Sequence, residues 1–116
     1  MKHINYKDIP PIQMENDQVK HVAGRLLIGK EDGASNFTMR CFEMGPGGHT
    51  PRHTHEWEHE VFVHQGHGQV LLDDTWHDMS PGSVVFVPGN VEHQFRNPTD
   101  STLTFLCLIP SGPPEL

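Results

Sequence analysis

The stretch that decides the fold is residues 47–66, which read GGHTPRHTHEWEHEVFVHQG. It contains three closely spaced histidines, His53, His55 and His59, and it begins and ends with glycine. A fourth histidine, His93, lies in residues 82–97, which read GSVVFVPGNVEHQFRN. Neutral imidazole is the commonest metal ligand in proteins, so these four side chains would bind a divalent transition metal if the fold joins the two stretches.

The spacing of the histidines favours such a site over scattered surface side chains. On a strand, residues two apart project from the same face with Cα atoms about 6.6 Å apart, so His53 and His55 can converge on one ion. Three intervening residues allow a turn before His59, and the turn at residues 88–90 precedes His93. Surface loops can also hold several solvated histidines, but paired histidines in strand-like sequence are the arrangement that metal binding requires.

A competing motif overlaps this stretch. Residues 55–59, HEWEH, match the His-Glu-x-x-His signature of zinc peptidases. That signature needs a helix, which brings both histidines onto one face. Here Pro51 lies just upstream and the strand-like run Glu60–Val63 follows, so we interpret the match as accidental.

The rest of the chain predicts an all-β fold. At 116 residues the chain is one domain, and its 11 glycines and 10 prolines separate short runs rich in β-branched and aromatic residues. No segment has a convincing helical period, so a sandwich or barrel is expected. The predicted strands are Val22–Ile28, Phe37–Met44, His49–His55, His59–His64, Gln69–Asp73, Val84–Val87, His93–Arg96 and Thr102–Ile109. A hairpin turn is expected at residues 73–75.

Composition excludes several classes of function. A formal charge of −7 argues against nucleic-acid binding, which needs a basic surface. Mean hydropathy is −0.52 and no apolar run approaches the length of a membrane span. The first residues lack the apolar stretch of a signal peptide, so a cytoplasmic protein is expected. Cys41 and Cys107 lie in apolar strand-like segments and are interpreted as free, buried thiols.

With these residues in view, the two stretches resemble the two motifs of the cupin superfamily. The first motif places Gly, five residues, His-x-His and a later Gly, and the second places Gly, five residues, Pro-x-Gly, two residues, His, three residues and Asn. The matching positions here are Gly47, His53, His55, Gly66, Gly82, Pro88, His93 and Asn97. Asn90 replaces a glycine of the second motif, a mild change because Asn tolerates the left-handed conformation.

The resemblance implies a double-stranded β-helix, or jelly-roll barrel, with a metal ion in its mouth. It divides the chain into an N-terminal arm or edge strand at residues 1–18, a cupin barrel at 19–110 and a tail at 111–116. The closest resemblance is to small single-domain cupins with a four-histidine site, including oxalate-decarboxylase-like ones. The resemblance to small cupins of this kind also implies a homodimer, which is the oligomeric state expected here.

One ligand position departs from the family pattern. Where the family has glutamate, this chain has His59, and Glu60 follows one residue later. Strand parity opposes Glu60 as the ligand, because it faces outward when His59 faces inward. The expected ligands are therefore His53, His55, His59 and His93, and the expected ion is Mn, Fe, Ni, Cu or Zn.

The expected function is that of a metalloenzyme, a dioxygenase or decarboxylase, acting on a small anionic organic molecule. The alternative is a non-catalytic cupin that binds a metal and a small ligand as a sensor or scaffold, since this fold hosts many functions. Arg40 would hold a substrate carboxylate if it faces inward, and its sequence neighbours Met39 and Cys41 would then face the other way. Phe95 is expected to line the cavity and Trp57 to cover its rim, whereas His49 is expected near the site but not as a ligand.

Overall fold

The structure, a computed structural model, describes all 116 residues and contains nine β-strands and no α-helix. This confirms the predicted all-β class. Two short 3-10 turns lie at Tyr6–Asp8 and Lys30–Asp32. The strands are β1 (Ile12–Gln13), β2 (Lys20–Ile28), β3 (Phe37–His49), β4 (His59–Gln65), β5 (Gly68–Leu72), β6 (Thr75–Met79), β7 (Val84–Val87), β8 (His93–Arg96) and β9 (Leu103–Pro110). None of the elements is a helix long and apolar enough to cross a bilayer.

The strands form one curled antiparallel sheet. Its order is β6-β5-β8-β3-β9-β4-β7, with β2 also paired to β3 and β1 paired to β2. The long strand β3 produces the curl, because it pairs with β2 and β9 along most of its length and with β8 at His49. This is the expected jelly-roll arrangement, and it brings the beginnings of β4 and β8 to the same end of the barrel.

Alternating side chains fill the interior of the barrel. In β4, His59, Val61 and Val63 are buried, whereas Glu60 and Phe62 are exposed on the outer face. The central core contains 14 buried residues, among them Phe42, Phe95 and Phe105 from three different strands. The rings of Phe105 and Phe95 stack with centroids 5.0 Å apart, and those of Phe105 and Phe42 lie 5.7 Å apart.

The predicted strand at His49–His55 is wrong. Strand β3 instead continues from Phe37 to His49, and the segment after it makes only an isolated bridge between His53 and His93. The physical reason is that Pro51 has no N–H to donate, so residues 50–58 cannot form a continuous ladder. The predicted hairpin turn is present, since Asp73 and Asp74 both adopt positive φ, at 49° and 72°, before β6 begins.

The N-terminal segment adds a short strand to the sheet beside β2, and Met14, just after it, packs against the core. Strand β1 pairs with β2, and the Arg25 side chain of β2 donates through Nε to the carbonyl oxygen of Ile9 at 2.8 Å. Cys41, which is opposite Arg25 in the β2–β3 register, is 2% exposed but lies outside the central core. Both cysteines are free and buried, as predicted, but they occupy opposite faces of the sheet.

Candidate metal centre

The fold brings all four predicted histidines together. His53 and His55 lie in the loop between β3 and β4, while His59 begins β4 and His93 begins β8. The rings of His53, His55 and His59 lie 4.7, 4.7 and 5.0 Å from the ring of His93, measured between centroids. One nitrogen from each of His53, His55 and His93 lies within 4.8 Å of the others, so these three side chains could hold a metal ion.

Backbone contacts between the two motifs hold the rings in place. His53 and His93 exchange N–H···O bonds of 3.1 and 3.0 Å, and the Asn90 N–H donates to the His55 carbonyl at 2.7 Å. Asn90 has φ 65°, the left-handed conformation expected for the residue that replaces glycine. At Gly89 a Cβ atom would lie 2.2 Å from the Glu56 carbonyl oxygen, so the two loops approach too closely for a side chain there.

Hydrogen bonds on the far side of two rings fix which nitrogen faces the centre. His55 donates from Nδ1 to the Trp57 carbonyl at 2.8 Å, and His93 donates from Nδ1 to the Val91 carbonyl at 2.9 Å. A carbonyl oxygen only accepts, so both rings carry hydrogen on Nδ1 and a lone pair on Nε2. His93 Nε2 is buried and has no hydrogen-bond partner in the chain. A buried lone pair without a partner, surrounded by other imidazoles, fits a bound divalent metal.

His59 borders the three-histidine group and has two alternative tautomers. Its Nε2 lies 2.9 Å from His55 Nε2, and its Nδ1 lies 3.2 Å from Cys107 Sγ and 3.4 Å from Arg40 Nη2. With hydrogen on Nε2, His59 donates to the Nε2 lone pair of His55, which is then not free to bind a metal. With hydrogen on Nδ1, His59 donates a hydrogen bond to Cys107 Sγ. Its own Nε2 lone pair and that of His55 are then both free to bind a metal, which gives four histidine ligands.

Residues around the histidines divide clearly between site and surface. Trp57 stacks on His55 with centroids 4.1 Å apart and planes 7° from parallel, so it orients the His55 ring. Glu60 is exposed on the outer face, as strand parity predicted. His49 is half-buried and its Nδ1 lies 3.1 Å from the carbonyl oxygen of the adjacent Thr50, away from the cavity.

An apolar cavity of about 250 Å³ opens beside the histidines. Arg40 and Phe95 both line it, so Arg40 faces the barrel interior with Phe42, and Cys41 faces the opposite side. The full lining is Met14, Val19, Val22, Arg40, Phe42, Thr50, Pro51, His53, His59, His93, Phe95, Phe105, Cys107 and Leu116. Sequence reasoning missed Met14, Leu116 and Cys107 as wall residues, because no local pattern reports contacts between distant segments.

The environment keeps the histidines neutral. Burial, followed by the neighbouring His93 charge, lowers the pKa of His59 to about 3, and burial with the same neighbour lowers that of His53 to about 4. The pKa values of His55 and His93 are also lowered, chiefly by burial. Metal ligation requires unprotonated imidazole, so the cluster is ready to bind without first losing a proton at neutral pH. Burial raises the pKa of the Cys107 thiol, which therefore stays neutral.

These shifts predict a pH dependence of the metal-free protein. Because the folded pKa of His59 lies below the unfolded value of about 6.5, the unfolded chain binds more protons below that pH, and stability falls as pH falls toward about 3. Glu60 has the opposite effect on stability. Burial and then Glu58 raise its folded pKa to about 7, so the folded state binds more protons than the unfolded chain below that pH. The test is thermal unfolding of chelator-treated wild type and His59→Gln, with stability measured as a function of pH. We expect a shallower pH slope in the variant, and equal slopes would contradict the assignment.

Comparison with known proteins agrees with this geometry. The sequence profile of the Cupin_2 family, described as a cupin domain, matches residues 40–109. The chain is 30% identical to 1-methylthio-D-xylulose 5-phosphate methylsulfurylase of Rhodospirillum rubrum, with 88% of this chain and 76% of the relative covered.

Solved structures of other proteins have a similar fold. The polyketide cyclase RemF from Streptomyces resistomycificus superposes with a TM-score of 0.91 at 34% identity, covering 98% of this chain and 82% of that one. A predicted oxalate decarboxylase from Thermotoga maritima has a TM-score of 0.85 at 19% identity, covering 94% of this chain and 98% of that one. At that identity the second similarity concerns the fold alone.

Proposed function

The chain belongs to the Cupin_2 family, and we propose that it is a metal-dependent enzyme that activates the carbonyl group of an apolar organic substrate. One observation carries the proposal: a cluster of unprotonated histidines opens into an apolar cavity that no acidic side chain lines. Such a site combines a Lewis-acid position with a dry binding space, which are the two requirements for stabilising an enolate.

The proposed ligands are His53, His55, His59 and His93. The first two and His93 form the three-histidine group, and His59 joins it in the tautomer that donates to Cys107. An all-nitrogen set suits Fe, Ni, Cu or Zn, and Mn is included because metal supply often decides occupancy in cells. The bound ion would supply Lewis acidity, polarising a carbonyl oxygen and stabilising the negative charge that develops on it.

The cavity wall indicates the kind of substrate. Phe42, Phe95 and Phe105 provide aromatic surface, and Val19 and Val22 provide aliphatic surface. A volume of about 250 Å³ suits a small compound with an apolar or aromatic body, bound with its carbonyl toward the histidines. The similar proteins support this choice, because the name of one describes cyclisation of a polyketide and the name of the other a reaction of a ketose phosphate.

The chain's own residues contribute orientation and exclusion of water. Trp57 holds the His55 ring by stacking, while the Trp57 and Val91 carbonyl oxygens hold the His55 and His93 tautomers. The aromatic wall removes solvent from the bound substrate and so strengthens the electrostatic interactions at its carbonyl. The ionisable side chains of the wall are limited to Arg40, Cys107 and histidines that the metal would occupy, so water at the mouth must move the proton.

Hydrogen–deuterium exchange tests this function directly. We expect metal-loaded protein to accelerate deuterium incorporation next to the carbonyl of 4-phenylbutan-2-one in D2O, followed by NMR. The matched variant His93→Ala should return the rate to background, and His77→Ala, an exposed histidine on β6, should not. No acceleration by fully metal-loaded protein, with this ketone or with acetylacetone, would contradict carbonyl activation.

Dioxygenase or decarboxylase chemistry, expected from the sequence, is the second candidate. Four nitrogen ligands would leave room on a bound ion for one substrate oxygen and dioxygen, and the ion would supply the redox or Lewis-acid chemistry. Oxygen uptake with acetylacetone, or CO2 release from oxalate, in the absence of deuterium exchange would favour it. Ligand binding without turnover in any assay would favour the non-catalytic alternative.

We also propose that the protein is a homodimer. The outer face of β4 and β7 exposes Phe62, Val84 and Phe86, whose fractional exposures are 46%, 79% and 54%. An apolar patch on neighbouring strands, at an edge of the sheet, is typical of a surface that another protein molecule covers. Size-exclusion chromatography with light scattering should give twice the chain mass of 13.1 kDa, and the chain mass itself would contradict the proposal.

A further inference from the structure

Arg40 is a buried cation without an anionic partner. Its side chain is only 8% exposed, yet it takes part in none of the ion pairs of the chain. Nε donates to the Cys107 carbonyl at 3.4 Å, and Nη2 contacts Cys107 Sγ at 3.0 Å and His59 Nδ1 at 3.4 Å. Nη1 donates to no group of the chain, although a guanidinium carries five N–H donors. Arg25, by comparison, pairs with Glu43.

No acidic side chain lines the cavity beside Arg40. None of its 14 lining residues is Asp or Glu, and the remaining polar groups are Thr50, Cys107 and the histidines. Burying an uncompensated charge costs several kcal/mol, so such a charge is retained where a ligand supplies the opposite charge. A divalent ion at the histidines would add to the positive potential and increase this demand.

We infer that Arg40 binds a carboxylate of the substrate whose carbonyl group lies at the histidine cluster. This rests on the proposed function and adds the substrate class, an apolar keto acid. A carboxylate suits the position because guanidinium binds it through paired N–H donors. A phosphate suits it less, since phosphate sites use several donors and this wall offers a single cation among apolar groups.

The position of His59 sets the separation of the two oxygen groups. Arg40 contacts the Nδ1 side of that ring, whereas Nε2, on the opposite side, faces His55. The carboxylate and the carbonyl are therefore held apart by the width of an imidazole, so several bonds separate them in the substrate. The Phe42 ring lies 5.0 Å from Arg40 Cζ and holds the guanidinium against the wall.

A pair of probes that differ only in charge tests the inference. The acid is 5-oxo-5-phenylpentanoate and the neutral probe is its carboxamide, each titrated calorimetrically into the full chain with and without bound zinc. We expect wild type to bind the acid at least about 10-fold more tightly than the amide, the value of a charge-assisted hydrogen bond. Arg40→Met should remove this preference while leaving amide affinity unchanged, and Arg40→Lys should keep part of it.

A second arginine variant provides the control. Arg52→Met removes the same charge near the same loop, but Arg52 is exposed and paired with Glu92, so the acid preference should persist. Any of four results would overturn the inference. Folded Arg40→Met could still prefer the acid, or wild type could show no preference. Wild type could instead bind phenyl phosphate more tightly than the acid, or bind neither probe. Zinc content of the same samples separates the two proposals, because failure to bind zinc counts against the metal site alone.

Discussion

Replacing His93 with alanine should lower metal affinity by more than about 100-fold, beyond the effect of losing a partner that only orients a ligand. His93 is 2% exposed, and its ring lies against those of the three other histidines. Its Nδ1 donates to the Val91 carbonyl, which leaves the buried Nε2 lone pair with no other partner in the chain. Elemental mass spectrometry after desalting measures the metal that each chain retains.

Two control variants make the result specific. His77→Ala removes an exposed histidine of β6, and Glu60→Ala removes the carboxylate beside His59 that faces outward from β4. Both should retain the metal, as wild type does. Full metal content in His93→Ala would contradict the site, and loss of metal in Glu60→Ala together with its retention in His59→Ala would move the ligand to Glu60.

Replacing Phe105 with alanine should lower the free energy of unfolding by about 3–5 kcal/mol. Phe105 is 1% exposed and packs against Phe42 and Phe95, so the substitution removes a large buried ring and leaves a hole between three strands. Urea unfolding of metal-free protein measures the difference without a contribution from bound ligand.

The matched control is Phe37→Ala, since Phe37 is the same residue type and is 51% exposed at the start of β3. Its loss should cost less than about 1 kcal/mol, because the side chain already contacts solvent. Equal losses for the two variants would mean that the barrel interior does not carry the stability.

Short runs of β-forming residues between glycine and proline turns predicted the all-β fold, and the resemblance to the two cupin motifs implied that the two histidine stretches meet. Parity along β4 correctly separated inward His59 from outward Glu60, since that choice depends only on local backbone geometry. The strand predicted at His49–His55 failed because alternating residue types were present but Pro51 removed a ladder donor. Boundaries of this kind depend on hydrogen bonds to distant residues.

The surroundings of the site were harder to predict. Which face of β3 points inward depends on its partners β2, β8 and β9, so the sequence left the orientation of Arg40 open. The contact between Cys107 and His59 joins β9 to β4, and Met14 and Leu116 reach the cavity from segments near the two ends of the chain. These contacts are tertiary and leave no periodic signal.

Metal content of untagged protein, purified from cells without chelator and measured by elemental mass spectrometry, tests the histidine site most directly. We expect close to one Mn, Fe, Ni, Cu or Zn ion per chain, and close to none in His93→Ala prepared in parallel. No bound metal, even after reconstitution with each of these ions, would contradict the site and leave a cupin barrel whose clustered imidazoles serve another purpose.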